Sequence, residues 1–133
     1  MMEEGKISTQ DEVNPGSTPT RSWRTHMPVA SKPALAAGVC IAQIGPVSNS
    51  QTWYIEYARV KCNSTPQTTL ELFKNTIDDL HSIDSTATGN DNIETPPTPG
   101  IYLGEGEILI FQWTGASIGA VGVVNAQVRV FSG

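Results

Sequence analysis

A chain of 133 residues, 38% hydrophobic and 16% charged, has enough apolar surface for one core with a flexible extension beside it. The net charge of −5 and a pI near 4.8 come without a basic stripe, which argues against sequence-independent binding to nucleic-acid phosphates. No run of eighteen apolar residues offers a membrane span, and the acidic, polar opening MMEEGKISTQDEVNPGSTP does not read as a secretory signal.

Residues 1–34 show no hydrophobic period and read as an extended N-terminal arm. Four acidic residues (Glu3, Glu4, Asp11, Glu12) balance four basic ones (Lys6, Arg21, Arg24, Lys32), so the remainder carries the net charge. Such a segment buries too little apolar surface to order itself alone. Within it Trp23, Met27 and Val29, flanked by Arg21 and Arg24, are the candidates to anchor the arm on a partner.

Residues 35–133 read as a β-sandwich domain. Val39 and Ile41 alternate with Cys40 and Ala42, the stretch GPVSNSQ turns, and TWYIEYARVKC follows with its aromatic and β-branched residues. In that strand Trp53 and Ile55 share one parity, while Ala58, Val60 and Cys62 share the other. A β-bulge near Glu56-Tyr57 reconciles the two halves. NSTP breaks the strand, and Asn63-Ser64-Thr65 is a polar turn. QTTLELFKN is the next strand, with Leu70 and Leu72 on one face. IDDLHSID suggests one short helical turn through Ile77, Leu80 and Ile83. STATGNDNIETPPTPG is then a long polar loop. IYL is a brief strand, GEGE a hairpin-like turn, and ILIFQW a strand with Leu109, Phe111 and Trp113 on one face. The last strand turns Val124, Ala126, Val128 and Val130 inward and Asn125, Gln127 and Arg129 outward, so that outward row is a second candidate contact surface. Short strands at this spacing, with turns between them, predict an all-β antiparallel sandwich or jelly roll.

The densest polar constellation is Asp78, Asp79, His81, Asp84, Asn90, Asp91, Asn92 and Glu94. Read as a calcium loop from Asp84, it places Gly89 correctly. It nevertheless puts Thr86 and Thr88 where carboxylates belong, and Glu94 falls one place short. Read as a zinc site, it lacks ligands, since the chain has only His26 and His81. No nucleophile elbow, phosphate-cradling loop or Cys-x-x-Cys occurs, and no catalytic, metal or cofactor residue is assigned. Cys40 and Cys62 read as buried thiols, a disulfide requiring that their strands lie side by side. The tyrosines Tyr54, Tyr57 and Tyr102, with the tryptophans, suit either a sugar platform or a core and interface.

From Trp53 through Arg59-Val60, and again over GEGEILIFQWTGASIGAVGVVNAQVRVF, the order of elements carries a resemblance. A Gly-rich turn, a strand ending Trp-Thr-Gly-Ala, a Gly-Ala hinge and a terminal Gln-Val-Arg-Val strand follow one another. Over roughly residues 50–131 the chain resembles small β-sandwich structural proteins encoded among the virion genes of tailed bacteriophages. The resemblance implies a non-enzymatic virion component, assembled in the host cytoplasm, that needs no cofactor. It implies a capsid decoration, cement or minor head protein whose arm helps it bind the major capsid protein or other virion proteins. Copies are then expected to form a closed homo-oligomer, most simply a trimer, with no role for nucleic acid or membrane. The alternatives are a tail or neck component, or a receptor- or glycan-binding module of a tail or fibre.

Overall fold

The structure is a computed structural model that describes residues 21–86, 88–90, 93–94 and 100–132. Among the described residues nine strands run in chain order: β1 (Arg21–Ala30), β2 (Val39–Ile44), β3 (Gln51–Cys62), β4 (Thr69–Lys74), β5 (Ser82–Thr86), β6 (Ile93–Glu94), β7 (Ile101–Leu103), β8 (Leu109–Thr114) and β9 (Gly122–Ser132). A single 3-10 turn at Asp79–His81 separates β4 from β5. All pairings are antiparallel. One sheet has the order β1-β9-β3, with β6 and β7 both on the far side of β3; the other has the order β2-β8-β4-β5. The short β6 and β7 pair with opposite ends of β3 and together fill one strand position. Two four-position sheets whose neighbours alternate between early and late segments make a jelly roll.

The core lies between the sheets. From one side come Ile55, Ala58, Val60, Val124, Ala126, Val128 and Val130; from the other come Cys40, Ala42, Ile44, Leu70, Leu72, Leu109, Phe111 and Trp113. Each fully buried Leu, Ile or Phe is worth roughly 1.5–3 kcal/mol relative to an exposed one, so this double row dominates stability. The parity change within β3 is a bulge. Its register against β9 shifts between Ile55 and Tyr57, which leaves Glu56 as the extra residue and keeps both Ile55 and Ala58 inside.

Three sequence expectations change. The arm does not extend to residue 34: residues 21–30 are β1, paired over ten positions with β9, and the rest of the expected arm, residues 1–20, lies outside the described residues. Strand propensity is weak there, but β1 is an edge, where Pro28 and outward-facing Arg24 and His26 are tolerated. The expected long polar loop, residues 85–100, takes in the end of β5, whose polar sequence suits an edge strand, and the short β6. The GEGE turn does not close a hairpin, since it carries the chain from β7 in one sheet to β8 in the other. The loop between β8 and β9 likewise crosses between sheets.

The connecting loops gather at two ends. At one end Ala34 N–H donates to the Ala120 carbonyl, the Asn63 Oδ1 accepts from Val121 N–H, and Ser117 N–H donates to Ser64 Oγ. Asn63-Ser64-Thr65 is thus a polar turn, and it holds the β8–β9 crossing. At the other end Asn75, at φ 71°, exchanges bonds with Ile108 through both backbone and side chain.

Candidate interaction surface

On β1 the alternation places Trp23, Thr25, Met27 and Val29 opposite the inward-facing Val130, Val128, Ala126 and Val124 of β9. Met27 and Val29 are partly buried and pack against the chain's own core. Trp23, at the end of that row, is 41% exposed. Arg24 projects from the outer face and spans β9 to reach Glu56, its Nε lying 3.0 and 3.1 Å from the two carboxylate oxygens. The bulge positions Glu56 for that contact. With the arginine side chain more than half exposed, the pair contributes under about 1 kcal/mol. Arg21 is exposed at the start of the strand.

Asn125, Gln127 and Arg129 lie on the outer face as their parity predicts. Two of the three are engaged sideways: Asn125 Oδ1 lies 3.1 Å from His26 Nε2, and Arg129 Nη1 donates to Ser22 Oγ at 3.3 Å. This polar row knits β1 to β9. Beyond it Tyr54 and Tyr102 pair across β3 and β7 with ring centroids 4.6 Å apart, and Tyr102 remains mostly exposed.

The acidic constellation is dispersed. Asp78 caps the 3-10 turn: its Oδ1 accepts from His81 N–H at 3.0 Å and lies 2.5 Å from His81 Nδ1. The hydrogen bond from His81 holds the Asp78 carboxyl below the usual range. Asp84 sits in β5, paired with Leu72 of β4, with its side chain accepting from Ser85 N–H. Asn90 serves the fold instead: its Oδ1 accepts from the backbone N–H and hydroxyl of Thr68, and its Nδ2 donates to the carbonyls of Ser64 and Pro66. Asp91 and Asn92 lie outside the described residues. Among the described residues no three His, Cys, Asp or Glu side chains converge to hold a metal ion. Cys40 and Cys62 are free and buried on strands of different sheets, and burial pushes the Cys62 thiol up. No helix among the described residues is long and apolar enough to cross a membrane.

Two surface features escaped the sequence reading. The first is a groove of about 530 Å³ between the end of β1 and β2, lined by Val29, Pro33, Leu35, Val39 and Ile41, with Lys32 at its side. Leu35 is 76% exposed. The only signal in the sequence was that Val39 and Ile41 make the second face of β2 apolar as well. The second is the β4–β5 turn, where Leu80 is 92% exposed between the partly exposed Ile77 and Ile83. The spacing of these three residues predicts one short helical turn, and a 3-10 turn is present at Asp79–His81; Ile83 lies beyond it in β5, and all three remain at the surface.

No family model and no curated protein matches the chain. Among solved structures, the cryo-EM structure of the virus-like particle of the extra small virus of the giant freshwater prawn Macrobrachium rosenbergii is similar over 100% of this chain and 96% of that chain, at 12% identity and a TM-score of 0.38.

Proposed function

We propose that the chain is a non-enzymatic structural protein of a virion. Its role in this reading is that of a capsid decoration, cement or minor head protein of a tailed bacteriophage, bound to the major capsid protein or its neighbours. The observation that carries the proposal is a jelly roll whose noteworthy surface is apolar rather than chemical: Leu35 and Ile41 at one place, Leu80 at another. Exposed aliphatic side chains in contoured patches suit protein contacts. The jelly roll itself serves viral capsid and lectin domains alike, so this step from fold to role is an analogy of architecture. Mass spectrometry of purified particles, with immunogold labelling of their surface, tests it. Stoichiometric recovery with surface label is the expected outcome, and absence of the chain from purified particles overturns it.

A second reading has its own observation. The Tyr54–Tyr102 pair on the outer face is an aromatic platform of the kind that stacks on sugar rings, and it favours a glycan-binding role on a tail or fibre. A glycan array probed with the wild type and with Tyr102→Ala separates the two. Binding that the variant loses supports the second reading, and no binding removes it.

A further inference from the structure

We propose that the two apolar features are halves of one contact between copies of this chain, with the Leu80 turn of one copy seated in the β1–β2 groove of the next. The contact deepens the virion reading by naming a surface through which copies assemble.

The placement of the two halves is the first argument. The groove runs along β2, one edge of the four-stranded sheet, and the turn leads into β5, the opposite edge. Three inter-strand steps of about 4.8 Å separate those edges. The two features also lie toward opposite ends of the sandwich. The turn is tied to the β7–β8 crossing through Asn75 and Ile108, whereas the groove opens beside the 31–38 connection, which bonds to Gly119 and Ala120. A copy therefore does not fill its own groove. A second copy placed beside it brings a turn to that groove.

Complementarity is the second argument. The turn is apolar at its tip and acidic around it, with Asp78, Asp79 and Asp84 beside Leu80, though His81 is hydrogen-bonded to Asp78. The groove has mostly apolar walls, with Gln43 among them and the lysine Lys32 at its side. Aliphatic tip meets aliphatic wall, and carboxylates approach an ammonium.

Rigidity is the third. Asn75 bonds to Ile108 N–H at 3.0 Å and to Glu107 at 3.2 Å, Lys74 Nζ lies 3.4 Å from Glu107, and Asp78 caps the turn. These bonds brace the backbone of the turn that carries Leu80, which lowers the ordering cost of binding. Because the two halves differ, the contact is heterologous. Each copy keeps one half free after the first encounter, so association continues to a ring or a longer assembly.

The experiment is sedimentation velocity on the purified full chain and on two variants, L80D and L35D. Both side chains are so exposed that folding should be retained, which circular dichroism checks; L80S and L35S replace either variant that fails it. The wild type is expected to associate with rising concentration, and each variant to associate at least about tenfold more weakly, a change of ~1.4 kcal/mol. An equimolar mixture of L80D and L35D is expected to form a 1:1 dimer and nothing larger, because one intact turn then meets one intact groove. A wild type that stays monomeric up to about 500 μM, a range that covers weak contacts, overturns the proposal. So do folded variants that associate like the wild type, or a mixture that stays monomeric. These outcomes are read on the isolated chain. A monomer leaves the virion reading standing, and absence from particles leaves the contact standing.

Discussion

The indole of Trp113 occupies the space where any side chain at residue 122 would stand. A Cβ built on Gly122 lies 2.5 Å from Trp113 Cε3, and one on Gly89 lies 2.8 Å from Cδ1. The Trp113 Nε1–H donates to the Gly89 carbonyl at 3.0 Å, so the one polar atom of a fully buried ring is satisfied. Gly122→Ala should therefore cost about 1–3 kcal/mol by overpacking. Trp113→Ala should cost about 3–5 kcal/mol by leaving a cavity. Gly119 differs. Nothing lies within 4 Å of a Cβ there, but its φ is +85°, so Gly119→Val should lose about 1–2 kcal/mol through backbone strain alone. Urea denaturation midpoints of the three variants test the set, and wild-type midpoints would contradict it.

Extending an N-terminal truncation from residue 20 to residue 30 should destabilise the domain by at least ~3 kcal/mol. The extra residues are β1, whose Met27 and Val29 pack on the core and whose loss exposes the flank of β9. Equal thermal midpoints for the two truncations would show that β1 is dispensable.

How much of this was legible in the sequence depends on whether a residue's position answers to a local pattern. β9 was read correctly because a central strand with one buried face must alternate strictly, and Val124, Ala126, Val128 and Val130 do. The bulge at Glu56 was legible because a parity change has few physical solutions. β1 was not, since an edge strand with one half-covered face needs only Trp23, Thr25, Met27 and Val29 on its inner side, and Thr25 and Pro28 obscure the period. Whether the turn at residues 104–107 stays in one sheet or crosses to the other leaves no local mark. The groove was hidden for a related reason: Leu35 and Ile41 look like core residues until the tertiary fold leaves them outside.

Glu107 makes the stability of one end of the sandwich sensitive to acid. Its carboxyl is held below the ordinary 4.5, chiefly by the Gly104 N–H at 2.8 Å, with Asn75 and Lys74 adding to the effect. A carboxyl depressed by folding stabilises the protein above its unfolded pKa, and that contribution is lost as pH falls through the folded value. Between about pH 6 and pH 3 the melting temperature should accordingly fall further for the wild type than for Glu107→Gln, the two converging in acid. Parallel curves in differential scanning calorimetry would contradict this.

The thiols supply a probe of the core. Cys40 donates to the Ala120 carbonyl at 3.4 Å, and both cysteines are at most 3% exposed, so neither thiolate meets solvent in the folded chain. An aromatic disulfide reagent should label both only on unfolding, at the rate at which the sandwich opens. Fast labelling of either in the native protein would mean that the sheets part there.

The position of β9 between β1 and β3 has a consequence for synthesis. Its partners are Arg21–Ala30 and Gln51–Cys62, yet β9 itself begins only at Gly122. While a ribosome is still making the chain, β1 has no neighbour and β3 has only the short β6 and β7. The larger sheet thus zips together after β9 has emerged, from contacts that link β9 to strands far earlier in the chain. Such a chain matures late and slowly. A nascent chain that stops short of residue 122 leaves two long strand flanks open to whatever strands it meets first.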